Sequence, residues 1–342
     1  MPKMDYLTFA VTKSCNFKCP YCSSNGAGEA QFSRLAHIHP NLVKVVTHIA
    51  SLSGIRRVRL SGGEPFMHKQ LGEIVRNIAM HDIDEIVLDT NASAISDKGN
   101  ILTDPPRQLG IVCSIDSLQE AGYDFHSGIS GMREKAIANI RHVSELGLLK
   151  RINMVITSKN IGEIPAMADF CRELGVPLKL SDVGVRRNQI GKFDDIYAPL
   201  AEAKTEYSAD QTDAEFDYSQ NFGTPCDTFS VGGQKVKVKD SAKGARYNVA
   251  AICGSCEFYP CSEGLYMITV MPDGTFSGCQ SNGYNMVLSR EELNSACMAA
   301  PSQDIKEKIK TIIDTMTDTL EAAKHSETTL SKVLKLKGAT NG

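Results

Sequence analysis

Three thiols crowd one short stretch near the start of the chain, Ser14-Cys-Asn-Phe-Lys-Cys-Pro-Tyr-Cys-Ser23. Cys15, Cys19 and Cys22 are separated by three and then two residues, a spacing that lets one loop wrap an inorganic centre. Thiolates are the usual ligands of iron–sulfur clusters. Three of them on a four-iron cube leave one iron open to bind something else. Zinc is the alternative, with His37 or His39 closing a tetrahedron. A second group lies far downstream, where Cys253-Gly-Ser-Cys256 is followed by Cys261 and Cys279. The other members of the set of 11 are Cys113, Cys171, Cys226 and Cys297. An odd count forbids complete internal pairing. The start, MPKMDYLTFAV, lacks the plan of an export signal, so a reducing, cytoplasmic setting is expected. Clustered cysteines there point to metal or redox chemistry. Cys113 sits in an apolar strand-like run and Cys171 on an apolar helical stripe, and both read as core.

Composition narrows the partners. The chain has 342 residues, 37 Lys+Arg against 40 Asp+Glu, and a formal charge of −3. That balance gives no reason to expect nucleic acid or an anionic membrane. No apolar run approaches the roughly 18 residues of a membrane span. A hydrophobic content of 42% suits a folded chain with a sizeable core.

The elements that must position the thiols alternate. Strands are expected at Tyr6–Val11, Arg57–Leu60, Glu85–Asp89, Leu109–Ile115, Arg151–Ile156 and Pro177–Leu180. Helices are expected at Asn41–Ser53, Gln70–His81, Arg133–Leu146 and Ile161–Leu174. About six βα units require a parallel sheet, open or closed into a β/α barrel. The unusual residues fall at strand C-terminal ends: Cys15–Cys22, Gly62-Gly63, Thr90-Asn91 and Ser114 with Asp116. That edge carries the chemistry in β/α barrels. Further on, Val231–Lys239 reads as a hairpin with solvated edge lysines, and Leu265–Met271 with Thr275–Ser277 as another around Pro272-Asp-Gly. Asp304–Lys324 reads as an amphipathic helix.

The cysteine stretch after a first strand, with Gly62-Gly63-Glu64-Pro65 after a second, resembles the radical S-adenosylmethionine (SAM) superfamily. The resemblance implies a partial (βα)6 TIM-like barrel. It also implies a [4Fe–4S] cluster on Cys15, Cys19 and Cys22 whose open iron binds SAM. One electron then yields a 5′-deoxyadenosyl radical that takes hydrogen from the substrate. By the same resemblance Tyr21 lies against adenine and Gly62, Gly63 and Glu64 sit beside the methionine moiety. Thr90, Ser114 and Asn153 line the SAM or substrate pocket. Tyr6–Cys15, Val58–Pro65, Ser114-Ile-Asp-Ser-Leu, Ile152-Asn-Met-Val-Ile and Phe170–Val176 are most similar to the GTP 3′,8-cyclase branch. There the Cys-x₂-Cys pair and one later cysteine hold a second [4Fe–4S] cluster, here Cys253, Cys256 and Cys279. Cys261 is a possible fourth ligand, with Cys226 and Cys297 as rivals. The Cys261 to Cys279 spacing also resembles the auxiliary-cluster domains called SPASM and twitch.

Departures from that branch bear on the substrate. Thr8 stands where the branch has arginine, and Glu257-Phe-Tyr-Pro260 replaces two further arginines, so most of a triphosphate clamp is missing. Arg59 and Arg151 survive as cations for an anionic or polar substrate group. The expected protein is a radical SAM enzyme acting on a small polar or nucleotide-like molecule, with a peptide-modifying maturase or the GTP cyclase itself as alternatives. An electron donor such as flavodoxin or ferredoxin is the expected partner. The expected division is a barrel over 1–220, a smaller auxiliary cluster domain over 221–300 and a helical tail over 301–342.

Overall fold

A computed structural model of the protein describes residues 4, 6–22, 36–183, 193–198, 200, 227–239, 247–256, 265, 267–279, 283–322 and 324–325. Its centre is β1 (Tyr6–Thr12), α1 (Pro40–Leu52), β2 (Arg57–Gly62), α2 (Leu71–Ala79), β3 (Glu85–Thr90), β4 (Leu109–Ser114), α3 (Glu120–Ser127), α4 (Arg133–Glu145), β5 (Leu149–Ile156), α5 (Ile164–Glu173) and β6 (Leu178–Asp182). The strands β1 to β6 are parallel and lie side by side in chain order. Short α6 (Phe193–Ile196) follows, then the hairpin β7 (Asp227–Val231) and β8 (Gln234–Lys239), then β9 (Tyr247–Asn248) and α7 (Ala250–Cys253). A meander of β10 (Ile268–Val270), β11 (Thr275–Cys279) and β12 (Tyr284–Val287) precedes α8 (Arg290–Ala296), α9 (Gln303–Glu321) and β13 (Lys324–His325).

One 11-stranded open sheet runs β12-β11-β10-β1-β2-β3-β4-β5-β6-β8-β7. The region after the central strands therefore feeds both of its edges. The strand β10 joins β1 in parallel, and β8 joins β6 in parallel. The hairpin turns at Gly232-Gly233 as expected, but its first strand β7 starts earlier, at Asp227, and forms the edge, while β8 with its lysines is enclosed between two strands rather than at the edge. Beside the four-residue α6 and α7, two longer helices, α3 and α8, are not foreshadowed by the sequence pattern, because both are short. The first carries no long apolar stripe, and the second announces itself only through a capping box of Ser289 and Glu292.

Alternation along each strand sorts side chains onto two faces. One face buries Leu7, Phe9, Val58, Leu60, Ile86, Leu88, Ile111, Cys113, Ile152 and Met154 in the main core, which α1, α2, α4 and α5 share. The core also takes in Cys171, as expected of a small hydrophobe. The other face carries Thr8, Arg59, Asp89, Ser114, Arg151, Asn153 and Lys179. The helix α9 presents Ile305, Ile309, Ile312, Ile313, Met316 and Leu320 to the core and lies against α1. Its neighbour Ser53 donates to Asp314 across that contact at 2.8 Å. None of the described helices is long and apolar enough to cross a membrane.

Ile312→Ala, which opens a cavity beneath α9, is expected to destabilise the fold by about 2–4 kcal/mol, read as a lower midpoint in urea unfolding.

Candidate active site

The thiols sit on the loop that leaves β1, and two other chain segments clamp that loop. From one side the Gly62-Gly63 loop presses in. The Gly63 N–H donates to Thr12 O at 2.6 Å and the Glu64 N–H to Ser14 O at 2.7 Å. Contact is so close that a Cβ on Gly62 would lie 2.3 Å from Thr12 O, and one on Gly63 2.0 Å from Ser14 O. Gly62 also has φ +128°, which side chains rarely adopt. From the other side the Lys18 N–H donates to Ser127 O at 2.7 Å, at the C-terminal end of α3. Asn16 completes the clamp: its amide donates to Ser93 Oγ at 2.8 Å, and its Oδ1 accepts from Asn91 Nδ2 at 2.9 Å.

The Gly63 N–H and the missing side chains of Gly62 and Gly63 serve the cysteine loop. The Glu64 carboxyl is likewise engaged within the protein. It accepts from Phe66 N at 3.0 Å, Thr90 Oγ1 at 2.7 Å and Asn91 N at 2.7 Å, tying the end of β2 to the end of β3. Burial pushes its pKa up to about 7, although the Asn91, Phe66 and Thr90 donors pull the other way. Ser114 and Asn153 are register partners on β4 and β5, and Asn153 Oδ1 accepts from Arg151 Nε at 2.9 Å.

Cys15, Cys19 and Cys22 lie within electrostatic reach of one another. Burial raises the Cys15 thiol to about 11 and the Cys19 thiol further. A bound cation is what would make such thiols thiolates at neutral pH. Two donors point at Cys15 Sγ, the Phe17 N–H at 3.4 Å and Asn91 Nδ2 at 4.0 Å, as suits a sulfur that carries negative charge. The donor set therefore fits an iron–sulfur cluster. The imidazoles considered for zinc are engaged at the base of α1: His37 Nδ1 bonds Thr12 Oγ1 at 3.0 Å, and His39 accepts from Asn41 N. Among the described residues, no three His, Cys, Asp or Glu side chains are gathered to hold a single metal ion.

The position of Tyr21 brings in a residue to which the sequence pattern assigns no role. Its hydroxyl donates to Asp116, whose other oxygen accepts from Val155 N at 2.7 Å. Buried Asp116 is raised above the usual carboxylate range by desolvation, against the pull of His126 and its hydrogen bonds. His126 is itself buried between Gly122 O and Thr157 Oγ1, at 2.7 and 2.8 Å. Asp116 had only its place at a strand end to betray it, the same signal that marked Ser114.

The second cysteine group also converges. Cys253 and Cys256 flank the end of α7, Cys279 ends β11, and both Cys256 and Cys279 lie within electrostatic reach of Cys253. Cys297 follows α8, is raised by desolvation alone and leaves its carbonyl to Asn41 Nδ2 at 2.9 Å. Cys226, Cys261 and Glu257–Pro260 lie outside the described residues. The Lys13–Asp273 ion pair at 2.9 Å links the cysteine loop to the turn between β10 and β11.

A parallel sheet with three thiols on the loop after its first strand, packed against a glycine-tight second loop, defines a class. Residues 9–171 match the radical SAM superfamily, whose members are enzymes that use a [4Fe–4S] cluster and SAM. Among curated relatives, a probable GTP 3′,8-cyclase of Metallosphaera sedula is 27% identical over 190 residues, covering 54% of this chain and 58% of that protein. One from Methanothermobacter marburgensis is 26% identical over 298 residues, covering 84% and 88%. The chain spans little more than half the length of several such relatives. In fold it is similar to Streptococcus suis SuiB bound to S-adenosylmethionine, with TM-score 0.59 at 16% identity over 88% of this chain and 67% of that one. SuiB bound to its precursor peptide SuiA matches with TM-score 0.58, also at 16% identity, over 90% and 66%.

Two outcomes follow from the clamp. Gly63→Ala is expected to destabilise the apoprotein by about 1–3 kcal/mol and to lower the iron retained after reconstitution, read by iron assay. Glu64 binds more proton folded than unfolded between pH 4.5 and about 7, so stability should fall as pH rises through that window. Glu64→Gln should flatten that part of the stability–pH curve, read by denaturation at several pH values.

Proposed function

We propose that this chain is a radical SAM enzyme, cyclase-like in architecture, that removes a hydrogen atom from a small polar or nucleotide-like substrate. The observation that carries the reading is the doubly clamped loop of Cys15, Cys19 and Cys22 at the C-terminal end of β1. When bound, a [4Fe–4S] cluster and SAM supply the electron and the radical chemistry. The protein's own residues do the rest. Cys15, Cys19 and Cys22 hold the cluster, and Asn91 and Phe17 steady Cys15. Tyr21, fixed by Asp116, borders the cofactor, with backbone of Gly62 to Glu64, Thr90, Ser114 and Asn153 around it. Arg151 and Arg59 face the substrate side.

Cys253, Cys256 and Cys279 are proposed to hold a second [4Fe–4S] cluster, with Cys261 as a candidate fourth ligand. The barrel would run over 1–220, the cluster region over 221–300 and the tail over 301–342. A flavodoxin- or ferredoxin-like reductant would deliver the electron, in the cytoplasm. GTP itself is disfavoured as substrate, because Thr8 and Glu257 stand where a triphosphate would want cations, although the relatives bear the name of GTP cyclases. A peptide is the second reading, favoured by the likeness to SuiB in complex with SuiA.

Anaerobic reconstitution should load about eight irons per chain, and dithionite with SAM should release 5′-deoxyadenosine. Cys19→Ala should abolish that release. An iron count of about half would remove the second cluster, and product from the variant would overturn the assignment.

A further inference from the structure

Charge on the polar face of the sheet is unevenly held. Arg59, which the sequence offers to an anionic substrate, is already taken. Its Nε and a terminal nitrogen both bond Asp89 Oδ2, one strand over on β3. The pair is largely buried, with side-chain exposures of 27% and 13%. Among the described residues nothing donates to the second carboxylate oxygen, Asp89 Oδ1, which is buried. A pair in this state shows a bound molecule little net charge.

Two strands further along, the balance differs. Asp89 is in register with Val112 and Val112 with Arg151, so Arg151 stands two strands from the ion pair on the same face. Its guanidinium leans on the neutral amide of Asn153, at Oδ1. No acidic side chain stands in the register row Ser114, Asn153, Lys179, Lys237 that runs beside it across β4, β5, β6 and β8. Arg59 is thus matched by a carboxylate, whereas Arg151 rests on an uncharged partner.

We propose that Asp89 is a specificity residue: by holding Arg59 it leaves Arg151 as the cation that meets the substrate, admitting a molecule with one compact anionic group and rejecting a triphosphate. This rests on the reading that the polar face binds the substrate. The physical device is a competing partner rather than a missing contact. A triphosphate needs cations along its length, and here one is withheld by a carboxylate that would also repel phosphate oxygens. The ligand class favoured is a small molecule whose anionic group is more compact than a triphosphate and sits on the Arg151 side of the sheet, away from Arg59.

The test is equilibrium binding of GTP, and separately of inorganic tripolyphosphate, to the reconstituted full-length protein. Asp89→Asn frees Arg59 and should raise affinity for both by about tenfold or more. Unfolding cannot mimic such a gain. In the double variant Asp89→Asn with Arg59→Gln the gain should vanish, leaving affinity within about twofold of the parent. Two results overturn the proposal. One is an unchanged affinity in Asp89→Asn at parental iron content. The other is a double variant about tenfold weaker than the parent, which would mean that Arg59 already serves phosphate. Should Asp89→Asn fail to fold, Asp89→Ser, which also removes the carboxylate from Arg59, is measured in its place and must show the same gain. Release of 5′-deoxyadenosine by the parent is measured beside it, so failure of the SAM chemistry is seen separately from failure of the gate.

Discussion

The close approach of two backbones underlies everything else in this molecule. Gly62 and Gly63 let the turn after β2 lie directly on residues Thr12 to Cys15, with two short N–H···O bonds across the contact. Any side chain there would meet a carbonyl oxygen at little more than 2 Å. The cysteine loop needs such a support because it has no regular structure of its own. A loop whose backbone is already fixed loses less freedom when it binds a ligand. The α3 end and the Asn16–Ser93–Asn91 bonds supply the other half of that fixation.

The sheet then decides what surrounds the site. Because β10 lies on β1 and β8 on β6, the later part of the chain extends the central sheet on both sides. Cys279 thereby ends a strand two places from β1, and the Lys13–Asp273 pair ties its hairpin to the loop of Cys15. The Cys15–Cys22 loop and Cys279 are thus carried by strands of one sheet. At 38% and 32% exposure, the ion pair adds orientation more than energy.

Buried charge near the site is handled in two ways. Glu64 and Asp116 are surrounded by donors, and their burial is offset by hydrogen bonds that hold neighbouring strands and Tyr21 in place. Asp89 is balanced by a cation and left one bond short. The first arrangement builds a scaffold; the second leaves a carboxylate oxygen unmatched on the polar face of the sheet.

Much of this architecture is legible in the amino-acid sequence. The six central strands, four of their helices and the α9 stripe follow from hydrophobic period, since burial on one face dictates residue type whatever the surroundings. The thiol groups are equally plain, because few other roles gather cysteines at such spacing. Short α3 and α8 carry too little periodicity to register. The partners of Arg59, Glu64 and Tyr21 are out of sight for a different reason. Asp89 lies 30 residues from Arg59, Asp116 lies 95 from Tyr21, and nothing local to either member names the other. The sequence by itself determined which central strands form and where the cysteines cluster, since those depend on local composition and spacing. Tertiary structure alone decided which sheet edge each later strand takes and which cation a carboxylate neutralises, because both depend on contacts between residues far apart in the chain.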